Sequence, residues 1–78
     1  MIDFNNLNNE LTNKQLKILK YSAEGLTEEA MALTLDISVN TIKYHKRGMY
    51  DQLCVNNIIE AIIKALKNDL IILEEINV

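Results

Sequence analysis

Seventy-eight residues carry 8 basic and 11 acidic side chains, are 49% hydrophobic, and include no proline, no tryptophan and a single cysteine. These figures describe one small domain, and a chain this short buries only roughly 60% of its unfolded surface, which argues against an enzyme built around a cofactor-sized pocket. A lone Cys54 excludes a disulfide scaffold, the lack of Cys/His clusters excludes a structural zinc finger, and the expected setting is the reducing cytoplasm. The start, Met1-Ile2-Asp3-Phe4, lacks a basic region followed by an apolar stretch, and no uncharged apolar run approaches the roughly 18 residues needed to span a bilayer. No targeting segment, anchor or membrane partner is expected. The net charge of −3 argues against nucleic acid unless the positive charge is concentrated in one place.

Aliphatic residues recur at helical spacing and only two glycines interrupt the chain, so the expected fold is all-α with four helices. Residues 1–10 hold the asparagine-rich stretch Asn5-Asn6-Leu7-Asn8-Asn9 and read as a flexible arm, since asparagine side chains compete with the helical backbone. Residues 11–73 form the expected domain and 74–78 a tail, in which adjacent Glu74 and Glu75 read as a solvated end.

Thr12 and Gln15 have capping-box spacing and start the first helix. Leu16, Ile18, Leu19 and Ala23 give it an apolar face, and Gly25 is placed to end it. Thr27 caps a short second helix, with Glu28 and Glu29 where the helix dipole favours negative charge. Ala30, Met31, Leu33 and Leu35 are its expected buried side chains. A turn around Asp36-Ile37 leads to Ser38, which caps a longer helix running to about Leu53.

That third helix has two faces. Ile42, Met49 and Leu53, joined by the ring of His45, form an inward stripe, whereas Asn40, Lys43, Tyr44 and Arg47 follow the i, i+3, i+4, i+7 pattern on a wet, basic stripe. Asn57 and Glu60 repeat the capping-box spacing and open a fourth helix to about Asn68. Its residues Ile58, Ile59, Ala61, Ile62, Ile63, Ala65 and Leu66 cover most of the circumference, and Leu70-Ile71-Ile72-Leu73 add further apolar surface. Cys54, between Leu53 and Val55, reads as a small buried hydrophobe.

The segment from Ile37 to Tyr50 contains Lys43, Lys46 and Arg47 and no acid, so fourteen positions hold +3 while the remaining sixty-four hold −6. A basic helix entered through a short helix and a tight turn is what a helix-turn-helix offers the major groove of double-stranded DNA. In that setting Arg47 suits guanine O6 and N7, Lys43 suits guanine or phosphate, Tyr44 a thymine methyl or phosphate, and Asn40 adenine or phosphate. Lys46 is expected to contact phosphate and so to act alike on all sequences. His45 has no second ligand at metal spacing and reads as a packed or phosphate-facing side chain. No arrangement of nucleophile, base and orienting residue is present, so no catalytic, metal or cofactor site and no small-molecule ligand are expected.

The chain also resembles the LuxR/FixJ/GerE-type helix-turn-helix family, as a stand-alone, GerE-like member. Leu11-Thr12-Asn13-Lys14-Gln15-Leu16-Lys17-Ile18-Leu19 is similar to the family's opening Leu-Thr-x-Arg-Glu-x-x-Val-Leu, and Ala23-Glu24-Gly25-Leu26-Thr27 to its Ala-x-Gly-x-Ser. The more specific stretch is Ala32-Leu33-Thr34-Leu35-Asp36-Ile37-Ser38-Val39-Asn40-Thr41-Ile42-Lys43-Tyr44-His45, similar in register to Ala-x-x-Leu-x-Ile-Ser-x-x-Thr-Val-Lys-x-His. The resemblance implies a transcription regulator whose scaffold helix is 27–35 and recognition helix 38–53, with the last helix a dimerisation surface in members that pair. It implies base and phosphate contacts for Lys43, Tyr44 and Arg47, and positions near the DNA backbone for Thr41 and His45. Gln15 and Ala30 replace glutamates typical of the family, Gln52 and Asn57 replace basic residues, and Asp69 stands where glycine is usual. Gly48 inside the recognition helix costs roughly 1 kcal/mol relative to alanine and suggests a close approach of another backbone.

Two stripes of aliphatic residues on the fourth helix, including Ile58, Ile59, Ile62, Ile63 and Leu66, point to a homodimer, unless the tail at Leu70–Leu73 folds back over the second stripe. Control is expected through abundance, dimerisation or a partner protein, because the chain offers no receiver or sensing domain. The alternative reading is an acidic protein-interaction module that pairs with another regulator or RNA polymerase. A fragment resembling region 4 of a sigma factor is a further possibility within the DNA-binding class.

Overall fold

The computed structural model describes residues 11–72; the arm expected over 1–10, Leu73 and the tail over 74–78 lie outside them. Four helices are present among the described residues: α1 (Asn13–Ala23), α2 (Glu28–Leu35), α3 (Val39–Leu53) and α4 (Ile58–Lys67). None is long and apolar enough to cross a membrane.

Each helix starts in the same way. Thr12, Thr27, Ser38 and Asn57 hold extended backbone, and each side-chain oxygen accepts from the N–H three residues on, at Gln15, Ala30, Thr41 and Glu60. The box at Thr12 is reciprocal, since its own N–H donates to Gln15 Oε1 at 2.9 Å. At Asn57 it is not: Glu60 Oε1 accepts from the N–H of Asn56, one residue earlier, and Glu60 Oε2 from the Asn57 side-chain amide. The two carboxylate oxygens of Glu60 are both acceptors, and they take the Asn56 N–H and the Asn57 side-chain amide instead of the Asn57 backbone N–H.

The four helix ends are also alike. Gly25, Asp36, Cys54 and Asp69 all have positive φ, and the next residue in each case, Leu26, Ile37, Val55 or Leu70, donates its N–H five residues back, to the carbonyl of Tyr21, Ala32, Tyr50 or Ala65, at 2.9–3.0 Å. Each of these four aliphatic residues is half-buried against the core. A left-handed residue therefore stops the helix, and the hydrophobe behind it pins the reversal.

The core is made of Ile18 and Leu19 from α1, Met31 from α2, Ile42, Met49 and Leu53 from α3, and Ala61 and Ala65 from α4, closed by Leu11, Ala32 and Ile71. Helix α3 packs against the other three, and α1 also meets α4. Burying a side chain such as Ile42 or Met49 contributes about 1.5–3 kcal/mol, so this convergence fixes the orientation of α3. The inward stripe of Ile42, Met49 and Leu53 is as expected, while His45 is half-buried at its margin.

Two sequence expectations need correction. Leu33 is 85% exposed rather than buried. Helix α2 turns Met31 and Ala32 to the core, and at about 100° per residue Leu33 falls about 200° from Met31, on the opposite side; Ala30 and Leu35 are half-buried at the edges. Cys54 is exposed too. It is the left-handed residue that ends α3, and the reversal that sends Val55 inward turns its thiol outward.

Candidate nucleic-acid interface

Helix α3 carries its polar stripe outward because its other side is held in the core. Asn40, Lys43, Tyr44 and Arg47 are all exposed, Tyr44 at 70%, and they lie within roughly one third of the helix circumference. The stripe is preorganised at its start, where Ser38 Oγ accepts from the Thr41 N–H at 3.0 Å and lies 2.8 Å from Thr41 Oγ1. Thr41 is thus committed partly to the cap. The rings of Tyr44 and His45 meet edge to face, with centroids 5.6 Å apart at 70°, which restrains the tyrosine where it projects.

A shallow recess flanks each side of this ridge. On the α2 side, Lys43, Lys46, Arg47 and Tyr50 face Glu28. Lys46 Nζ lies 3.1 Å from Glu28 Oε2, joining α3 to the first turn of α2, and only 14% of the lysine side chain is exposed. Burial, and secondarily the negative charge of Glu28, raise the Tyr50 phenol above its usual value. On the α1 side, Tyr44, His45, Arg47, Gly48 and Asp51 face Gln15.

The structure therefore brings Asn40, Lys43, Tyr44 and Arg47 onto one open face, and sets Thr41, His45 and Lys46 half-buried beside it. The Glu28–Lys46 pair had no signal in the sequence, because the partners are eighteen positions apart on different helices. Gly48 did give a signal, with a different cause from the one expected. A Cβ there would lie 3.0 Å from Gln15 Nε2, so the close approach is by a side-chain amide rather than by a backbone. Lys64 Nζ donates to the Leu53 carbonyl and ties α4 to the end of α3.

On α4, Ala61 and Ala65 make the close contact with the core, which leaves the larger side chains towards the rim and outside. Ile58 and Ile62 are half-buried, whereas Ile59 is 66% exposed, and Ile63 and Leu66 are exposed as well. Leu70 and Ile71 turn back against the core, near Leu16 of α1, and the described tail leaves Ile59 and Ile63 uncovered.

Comparison with known proteins gives this arrangement its context. Residues 9–65 match the GerE family, described as bacterial regulatory proteins of the luxR family. The chain belongs to the LuxR family of bacterial regulatory proteins. Over 65 residues, 83% of its length, this LuxR-family chain is 32% identical to the transcriptional activator protein AnoR of Acinetobacter nosocomialis and 31% identical to the transcriptional regulatory protein YdfI of Bacillus subtilis strain 168. Those matches span 27% and 30% of the two relatives. The solved structure of the response regulator ChrA, from a heme-sensing two-component system, is similar with a TM-score of 0.75 and 34% identity, over 78% of this chain and 30% of that one. The LuxR-family chain thus spans less than a third of each of these proteins. Its architecture is all-α, and α2 and α3 both lie inside the residues matched to this family of bacterial regulatory proteins.

Proposed function

We propose that this LuxR-family domain binds double-stranded DNA by seating α3 in the major groove, and that it reads sequence through Arg47, Lys43 and Asn40 while Tyr44, Thr41, His45 and Lys46 meet the sugar–phosphate backbone. The observation that carries this reading is the exposure of Asn40, Lys43, Tyr44 and Arg47 along one ridge of a helix whose opposite side is anchored in the core. The major groove, about 12 Å wide, admits such a helix, and arginine and lysine pair with guanine there. Duplex DNA places the protein in the bacterial cytoplasm, and the reading assigns it binding without a catalytic step.

The proposal includes a homodimer formed through α4, where Ile59, Ile63 and Leu66 present an aliphatic face. Pairing would set two recognition helices roughly 34 Å apart and favour a palindromic site. Contacts to RNA polymerase or another regulator would then act on a domain already placed on DNA.

The test is a titration of the protein into labelled mixed-sequence duplex, followed by fluorescence anisotropy at several salt concentrations. An affinity that falls with salt at a log–log slope of about −3 or steeper supports engagement of several phosphates. Absence of binding at low salt overturns the groove model and favours the acidic protein-interaction module, consistent with the −6 carried outside residues 37–50.

A further inference from the structure

Gln15 is the one buried polar residue among the described residues, 8% exposed, and only half of its amide is used. Oε1 accepts the Thr12 N–H, whereas Nε2 has no hydrogen-bond partner among the described residues. No buried side-chain nitrogen or oxygen in that set lacks a partner, so this Nε2 retains access to solvent, and it lies on the wall of the recess shared with Tyr44, His45, Arg47 and Gly48. Gly48 makes the approach possible, since a Cβ at that position would stand 3.0 Å from the amide nitrogen. A helix interior normally disfavours glycine by about 1 kcal/mol. Here the missing side chain leaves room for a donor from α1 beside the recognition ridge.

We propose that Gln15 Nε2 donates to a phosphate oxygen of the bound duplex, making the recess between α1 and α3 a backbone clamp. The inference rests on the groove-docking reading above and adds to it a contact from outside the helix-turn-helix. A recognition helix in the major groove has a phosphate strand on either side. On the α2 side the half-buried Lys46 can reach phosphate only in competition with its ion pair to Glu28. On the α1 side Gln15 offers an N–H that no acceptor among the described residues takes up, and Arg47 and His45 line the same recess. Asp51, its one acid, is an exposed residue on the outward side of α3, one turn beyond Arg47. An amide suits this position because a carboxylate of the same shape would keep the Thr12 bond and turn a donor into a charge that repels phosphate.

The experiment compares wild-type protein with Gln15→Glu on a fixed duplex and on duplexes carrying a single neutral methylphosphonate at each position in turn. The clamp requires Gln15→Glu to lose affinity about tenfold or more on unmodified DNA. It also requires one methylphosphonate position at which wild type is weakened and most of the variant's deficit disappears. Thermal unfolding of both proteins separates binding from folding, because the cap acceptor is retained in Gln15→Glu. Equal deficits at every methylphosphonate position, or unchanged affinity, overturn the clamp while leaving groove docking intact. Failure of the wild type to bind any duplex removes the groove model itself, and with it the clamp.

Discussion

Lys46 of α3 and Glu28 of α2 form an ion pair of 3.1 Å in which the lysine side chain is the more buried partner. The pair braces α2 against α3 at the edge of the basic ridge, and it withholds a positive charge from that ridge. Because Glu28 is 30% exposed, its contribution to stability is screened, and a double-mutant cycle with Glu28→Gln and Lys46→Met should give a coupling of about 0.5–1 kcal/mol.

The same pair predicts an effect on DNA binding. Glu28→Gln releases Lys46 and removes one negative charge near phosphate, so mixed-sequence affinity should rise and the log–log salt slope should steepen by about 0.9. Lys46→Ala should weaken all sequences alike. A slope unchanged by Glu28→Gln would mean that Lys46 serves the helix pair alone.

Arg47 makes a different prediction, because its side chain is exposed on the outward ridge. Arg47→Ala should cost about 1–3 kcal/mol of specific binding and relax preference at a single base pair. The measurement is a selection of preferred sites with both proteins, compared position by position. Loss spread evenly over all sequences would reassign Arg47 to phosphate.

Core and surface positions should separate clearly in stability. Ile42 and Met49 are fully buried where α3 meets its neighbours, and either change to alanine should cost about 2–5 kcal/mol in chemical denaturation. Leu33→Ala, at a residue 85% exposed, should alter stability by less than about 0.5 kcal/mol. A large loss at Leu33 would contradict the way α2 is rotated against the core.

Tyr50 links the α2-side recess to pH. Its phenol is raised by burial and then by Glu28, so the folded protein holds that proton more tightly than the unfolded chain. The contribution is fully present below the ordinary tyrosine value of about 10 and is lost as pH rises through the folded value. Urea unfolding of wild type and Tyr50→Phe from pH 8 to 11 should show wild type losing stability relative to the variant above about pH 10. Parallel curves would mean that Tyr50 titrates alike in both states.

The starts of the helices were legible in the sequence because each cap is a local event: Thr12, Thr27, Ser38 and Asn57 each bond a backbone N–H three residues away. The outward stripe of α3 was legible for the same reason, since spacing along one helix fixes which side chains share a face. Long-range pairs were not. Glu28 with Lys46, and Gln15 with the space left by Gly48, depend on how α1, α2 and α3 cross, and no local period encodes that. Leu33 and Cys54 failed in another way. Hydrophobic character suggested burial, but the rotation of a short helix placed Leu33 outside, and the backbone reversal after α3 did the same for Cys54.

That reversal supports a final prediction. Cys54 has φ 57°, a left-handed conformation that costs an ordinary L residue about 1–2 kcal/mol and glycine nothing, while glycine adds roughly 0.5–1 kcal/mol of unfolded-state entropy. The exposed thiol supplies little in return, as its Sγ lies a long 3.9 Å from the Asp51 carbonyl. Cys54→Gly should therefore stabilise the domain by about 0.5–1 kcal/mol. Asp36 and Asp69 share the same φ, but aspartate tolerates the left-handed region better, so Asp69→Gly should gain less. Denaturant midpoints measured under reducing conditions, which keep thiol oxidation from contributing, would rank the two variants. A loss of stability in Cys54→Gly would show that the thiol, rather than the backbone reversal, governs this position.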